Sequence, residues 1–382
     1  MRIRIDRNEL AGAFGDIGTD LPLIIGMILA TDLDVTSVLV TFGCMQILTA
    51  MIYGIPMPVQ PLKVVAMIVI SQKVAPNIIY GGGLAIGIFM LLLSITGLID
   101  LLAKYTPKVV IRGIQFGLGM NLILIALKEY IPSESVSGYT LATISFVVSL
   151  ILLGNRKYPP AIFIILLGII YALSFNVKDF SFLNQITLSV PKIYIPVWND
   201  IILGFVLLAL PQIPLSLGNS IFATKQIAND FFPEKNVTVR KIGITYAIIN
   251  LINPFFGGVP TCHGSGGIVG HYTFGARTGG SVFIYGLIYL IMGLFFSKNF
   301  EMIVKFFPLP MLGVILFFEG YSLLLLIKDI IDSKRNLMIA FLVAVISVGL
   351  NYGFLIGMLV GVVIYYTTNP NVKHTLKFGK KY

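Results

Sequence analysis

Residues 54–66 read GIPMPVQPLKVVA, and residues 258–270 read GVPTCHGSGGIVG. Each stretch follows a long apolar run and interrupts it. In the first, Pro56, Pro58 and Pro61 lack backbone donors and push the residues before them out of helical geometry. The chain must therefore run extended before a helix restarts near Lys63. In the second, Pro260 and the glycines of HGSGG break the run in the same way. Laid over each other without a gap, the two stretches match Gly54 with Gly258 and Pro56 with Pro260. They also place Pro58 over Cys262 and Lys63 over Gly267.

The surrounding chain decides where these breaks lie. Of 382 residues, 57% are hydrophobic and 12% charged, with a mean hydropathy of +0.92. Soluble domains carry about 25% charged residues. Half that supply cannot cover a water-facing surface, and apolar runs recur along the whole length, so the fold class is an all-α membrane protein. The opening MRIRIDRNEL alternates apolar and charged residues and forms no signal peptide. Cys44 and Cys262 provide no disulfide framework. The formal charge of +10 is scattered between apolar segments instead of clustered on one face, which argues against a nucleic-acid partner. HExxH, GxSxG and metal-spaced His/Cys patterns are absent, and three histidines (His263, His271, His374) are too few for a multi-histidine centre. No enzyme, cofactor or metal site is read.

A spanning helix needs about 20 mostly apolar residues. On that criterion the segments fall at about 10–30, 36–55, 60–74, 82–101, 109–128, 139–154 and 159–175. After a polar linker, 176–199, they resume at about 200–224, 239–257, 264–274, 279–297, 302–327, 337–350 and 352–368. The reading is 14 segments, with repeats over 1–175 and 200–368 and a tail over 369–382. The third and tenth segments are short half-helices behind extended stretches. Letting every segment switch sides separates the 27 lysines and arginines. Lys73, Lys128, Lys178, Lys192, Lys298 and Lys305 fall on one side, Lys63 falls in the membrane, and all the others share the side of the N-terminus. Basic residues favour the cytoplasm, which places both termini inside the cell membrane. Seven segments per half invert the second half relative to the first. Inverted repeats with paired interrupted helices indicate a secondary transporter with its site near the midplane.

Broken backbone at that depth persists only where it is buried or lines a wet cavity. A helix that starts there presents free N–H groups and a positive dipole end, and two such ends make an anion site. Lys63, in the first turn, is disfavoured by that dipole, and an anion beside it would offset the cost; the other reading is a lysine that snorkels to the surface. Gly264, Gly266 and Gly267 let backbone approach a ligand, and Ser265 adds a hydroxyl. His263 is either a ligand-facing donor or a hydrogen-bonded packing residue. The first segment of each half carries polar residues two turns in: Asp16, Thr19 and Asp20, then Gln212, Ser216, Asn219 and Ser220. Asp16 and Asp20 share a helical face and are candidates for proton or cation coupling, or else cap a neighbouring helix or pair with a base. Glu319, in FFEGY, is a third intramembrane acid with the same two readings, and its distance from the breaks favours the structural one.

At ELAGAFGDIGTDLP, PMPVQPLK, PLSLGNS and GGVPTCHGSGGIVGHYTFGARTG, the chain resembles the molybdate transporter family, a branch related to sulfate permeases. The likeness extends across nearly the whole chain. It implies the fold of sulfate permeases and nucleobase transporters, with seven plus seven inverted segments divided into core and gate domains. Segments three and ten would meet head-on, with one and eight beside them. It implies substrate contacts at Gln60 and Lys63, at His263 to Gly267, and at Asn219, with Asp16 nearby. The substrate would be molybdate or a similar oxyanion, with sulfate the nearest rival and a homodimer expected by analogy. A nucleobase carrier would need acids in segments eight and ten, where only Asp200 stands at an edge. The short stretch after Tyr366 leaves no room for the regulatory domain of sulfate permeases.

Overall fold

Proline and glycine set the boundaries of a helical chain in which, among the described residues, the only strands form at the two breaks. The computed structural model describes residues 3–153, 155, 157–158, 160–176, 186–350 and 353–368. The expected tail 369–382, the middle of the linker, and Arg156 and Lys178 lie outside the described residues. The first half runs α1 (Arg7–Ala13), α2 (Ile17–Ala30), α3 (Val35–Tyr53), β1 (Val59–Pro61), α4 (Lys63–Gln72), α5 (Pro76–Ile95), α6 (Leu98–Tyr105), α7 (Lys108–Ile125), α8 (Ser135–Leu152) and α9 (Pro160–Tyr171). The second runs α10 (Trp198–Gly204), α11 (Leu210–Leu215), α12 (Thr224–Phe231), α13 (Val239–Ile252), β2 (Thr261–His263), α14 (Ser265–Thr273), α15 (Gly280–Phe296), α16 (Phe300–Val304), α17 (Leu309–Leu324), α18 (Lys334–Gly349) and α19 (Gly353–Thr368).

Among the described residues, five helical stretches are long and apolar enough to cross a membrane, and two bent pairs raise that to seven. One pair is α1 and α2, which meet at 42° around Phe14–Asp16. Residues 108–152 run as one helical stretch, where the sequence separates segments 109–128 and 139–154. The join is a π-helical turn (Ala126–Tyr130) followed by a 3₁₀ turn, with Ser135 at φ 53°.

Two packing groups are evident. α3 lies against α15, α5 against α13 and α10, and α2 against α4. Separately, α7 lies against α17 and α18, α8 against α17 and α9, and α18 against α19. α17 touches both groups, through α2 and α14.

The breaks are built alike. Asp34 caps α3 by accepting the Ser37 N–H at 2.9 Å, and Gly54 ends the helix at φ 64°, a conformation that favours glycine. Thr238 caps α13 in the same way, and Gly257, at φ 68°, turns the chain toward β2. The two strands pair antiparallel, Val59 with His263, Gln60 with Cys262 and Pro61 with Thr261. A two-stranded ribbon leaves outer edges bare, and buried bare backbone is costly. Two amide side chains cover those edges. Gln46 on α3 donates to the Val59 carbonyl at 2.7 Å and accepts its N–H at 3.0 Å. Asn250 on α13 does the same for Thr261, at 2.6 and 3.0 Å.

This geometry corrects the ungapped overlay of the two stretches. Lys63 is the first residue of α4, and its counterpart in α14 is Ser265, not Gly267. Likewise β1 corresponds to β2, with Gln60 opposite Cys262 at the centre of the ladder, where sequence alone placed Pro58 over Cys262. Gln46 precedes its clamped residue by 13 positions and Asn250 by 11. The second half is therefore two residues shorter between clamp and strand, a shift that an ungapped comparison cannot represent.

Candidate functional site

The starts of α4 and α14 lie at opposite ends of the same ribbon, and each has free N–H groups that no side chain of its own caps. At α4, the Val64 N–H reaches the Gln212 side-chain oxygen at 3.0 Å, and the Leu62 N–H reaches the Pro260 carbonyl at 3.1 Å. Gln212 in turn donates to Ser216, which pairs with Tyr246 at 2.9 Å. The polar residues of the eighth predicted segment thus brace the helix start of the first half.

At α14, Ser265 donates to Asn219 at 2.7 Å. The three glycines of HGSGG are required by what presses on them. A Cβ at Gly264 would come within 1.7 Å of the Gln60 oxygen, at Gly266 within 2.4 Å of Glu319 Oε1, and at Gly267 within 2.4 Å of Asp16 Oδ2. The positive end of α14 is therefore faced by two carboxylates and an amide oxygen of the protein itself. Gln60 also donates to both Asp16 oxygens, at 2.6 and 2.8 Å. Thr19, one turn along α2, donates to Glu319 Oε2 at 2.9 Å. Asp20 accepts from Tyr285 at 3.3 Å, and Tyr285 pairs with Tyr289 at 3.1 Å.

Asp16, Asp20, Gln60 and Glu319 are each fully buried. Lys63 lies within electrostatic reach of all three acids, yet its buried ammonium has no hydrogen-bond partner. Asp20 Oδ1, Gln60 Oε1 and Glu319 Oε1 also lack one. Four unpartnered polar atoms in one buried cluster are unusual, because interiors pair nearly all such groups. A cavity of about 1,090 Å³ reaches this cluster at Lys63, Thr19 and Gly18, and runs along α4 to Gln72, Glu129 and Leu350.

At the other end of the boundary between the two packing groups, the polar groups are fully used. Arg112 on α7 is 3% exposed and donates to Asp329 at 2.6 and 3.1 Å, to Asp230 at 2.5 Å and to Gln115 at 2.8 Å. Lys108 joins Asp329 at 2.6 Å. Asp230 ends α12 and Asp329 follows α17, so this cluster ties the two groups together.

Of the site residues read from sequence, Asp16, Gln60, Gly264, Ser265, Gly266, Gly267 and Asn219 converge at the start of α14, with Lys63 and Asp20 in electrostatic contact. His263 does not face them. Its ring lies between Thr245 at 2.9 Å and the Pro58 carbonyl at 3.3 Å, edge-on to Tyr53, and so it braces the ribbon against α13. Glu319, distant from the breaks in sequence, is close to one of them in space: α17 packs along α14 and brings the carboxylate onto Gly266. Arg112 figured in the sequence only as a topogenic charge, and its acidic partners are too far along the chain for spacing to reveal them.

Comparison with known proteins places this arrangement in context. The family described as "Molybdate transporter of MFS superfamily" matches residues 8–122 and 204–323. Molybdate transporter 2 of Arabidopsis thaliana is 31% identical over 389 residues, covering 89% of this chain and 82% of that one. Molybdate transporter 1 of the same plant is 31% identical over 406 residues, covering 94% and 88%. Among solved structures, the transmembrane domain of the cyanobacterial bicarbonate transporter BicA superposes with a TM-score of 0.58 at 17% identity, covering 95% of this chain and 98% of that one. Murine Slc26a9, an anion transporter in the inward-facing state, gives 0.60 at 14%, covering 100% and 70%. The fold is thus that of the transmembrane domains of these two transporters.

Proposed function

The chain belongs to the molybdate transporter family, and from that premise we propose that it is a secondary active carrier of molybdate in the cell membrane, coupled to protons. It is a membrane transporter and not an enzyme. The observation that carries the substrate reading is Lys63: a buried cation without a partner, in the first turn of a short helix, at the end of a cavity wide enough for a small oxyanion. An ammonium at that depth costs at least about 2.5 kcal/mol, and a bound dianion offsets that cost. Gln60, Asn219, Ser265 and the backbone of Gly264 to Gly267 complete the proposed contacts, with Asp16 and Asp20 as coupling groups. His263 supports them from behind.

The 14-segment, seven-plus-seven architecture with short third and tenth helices is part of the same reading. Its support is the like construction of the two breaks and the symmetric ribbon between them. So are the inside position of both termini, the homodimer, and the division into a core carrying α2, α4 and α14 and a gate carrying α7, α8 and α17. In that frame the cavity opens outward along α4, and the Arg112 cluster closes the cytoplasmic side.

Purified protein in proteoliposomes should accumulate labelled molybdate. Unlabelled molybdate and tungstate should compete fully, sulfate more weakly and uracil not at all. Stronger competition by sulfate than by molybdate would reassign the substrate, and competition by uracil would overturn the oxyanion reading.

A further inference from the structure

The charge content of the buried cluster is at odds with its proposed cargo. Asp16, Asp20 and Glu319 face a single lysine, all in a site from which water is nearly excluded. If every acid were ionised, negative charge would exceed positive before any substrate arrived. A dianion would add two further negative charges, and each helix start supplies only about half a positive charge. Uncompensated buried charge costs several kcal/mol per ion, so the dianion cannot enter this cluster unless some acids take up protons.

The hydrogen bonds separate the three acids. Asp16 accepts two bonds from Gln60, one on each oxygen, and lies at the start of α14. Asp20 and Glu319 each accept one hydroxyl donor on one oxygen and leave the other oxygen bare. The two differ in position. Asp20 lies on α2, beside Lys63 and α4. Glu319 lies on α17, which packs on α7 and α8 on one side and on α14 and α2 on the other, and its bond to Thr19 crosses from one packing group to the other. The groups facing Glu319 are Asp16, Asp20 and Thr19 from α2, Lys63 from α4, Gly266 and Gly270 from α14, and Tyr130 from the turn after α7. Lys63 is the one base among them. The acids do not converge on a common metal position; among the described residues no group of three His, Cys, Asp or Glu does.

We infer that Glu319 is a proton-carrying residue of the transport cycle: it takes up one proton when the oxyanion binds and releases it on the opposite side of the membrane. The inference rests on the molybdate-carrier reading and adds one coupled proton to any carried by Asp16 or Asp20. Only an O–H bond forms and breaks. A proton from the cavity side adds to Glu319 Oε1 and gives a neutral acid, which removes one charge opposing the dianion. When α2 slides past α17, the Thr19 bond is lost, the site changes sides, and the proton leaves with the cargo.

The test is the reversal point of molybdate flux in proteoliposomes with the membrane potential clamped to zero. Each coupled proton lets a one-unit pH difference hold about a tenfold molybdate gradient. Glu319→Gln should still exchange labelled for unlabelled molybdate, but the gradient held per pH unit should fall about tenfold. Glu319→Asp, which restores an ionisable group, should return it to the wild-type value. An unchanged reversal point in Glu319→Gln would overturn the inference while leaving the carrier reading intact. If wild-type vesicles move no molybdate, the carrier reading itself fails. Should Glu319→Gln not reconstitute, the number of protons taken up per molybdate by the detergent-solubilised proteins decides. About one proton fewer in Glu319→Gln than in wild type and Glu319→Asp supports the inference, and equal uptake in all three overturns it.

Discussion

Two buried cations, Lys63 and Arg112, sit at the two ends of one boundary and are treated in opposite ways. Arg112 has acceptors on three sides, among them two carboxylates, whereas the Lys63 ammonium has no hydrogen-bond partner. A saturated buried cation is a structural joint, because removing it leaves its acids unpaired. An unsaturated one is a loss to the resting fold that only a ligand recovers. The same amino-acid property therefore marks a lock at one place and, in the function proposed above, a binding site at the other.

The contrast can be broken by substitution. Lys63→Met should reduce molybdate uptake by at least about 30-fold, as expected for losing one partner of a buried charge contact. Normal uptake in that variant would remove Lys63 from the site. Arg112→Met should lower stability by about 3–5 kcal/mol because Asp230 and Asp329 lose their shared partner. It should also increase labelling of cysteines introduced beside Asp230 and Asp329. A melting temperature equal to wild type would show that the cluster is no joint.

Smaller effects sharpen the picture. Gly267→Ala inserts a methyl group against Asp16 and Pro58 and should cost about 1–3 kcal/mol, with uptake falling more than exchange-independent folding measures. Wild-type uptake would mean that α14 is not held so close to α2. The smallest effect belongs to a surface pair. Asp34 is partly buried, which raises its pKa, but bonds from Lys192 and Ser37 outweigh that and hold it below the usual 3.8. Its stabilisation is thus present above the unfolded-state value and is lost as pH falls through the lower folded value. Asp34→Asn should remove under about 1 kcal/mol at neutral pH and flatten the acid limb of the stability curve, read by thermal melts in detergent.

The sequence made much of this legible, for physical reasons that can be named. Proline has no N–H and glycine has no Cβ, so both breaks were visible; the close approach at Gly264, Gly266 and Gly267 was read as that of a ligand, whereas Gln60, Glu319 and Asp16 press there. Intramembrane acids are rare enough that Asp16 and Asp20 stood out. Spacing could not show that α17 lies along α14, and so Glu319 looked remote. Nor could it show that His263 turns toward Thr245, since a histidine in a strand faces either side according to its register. The two-residue difference between Gln46–Val59 and Asn250–Thr261 was hidden because only backbone geometry reveals which residues correspond.

The ribbon has a consequence for how the protein is made. β1 emerges from the ribosome about 200 residues before β2, and synthesis at about 5–20 residues per second leaves it waiting some 10–40 seconds for its partner strand. During that interval Gln46, on the helix just inserted, is already able to hold both polar groups of Val59. The glutamine therefore satisfies the outer edge of β1 from within its own half, and only the inner edge is left for β2 to complete.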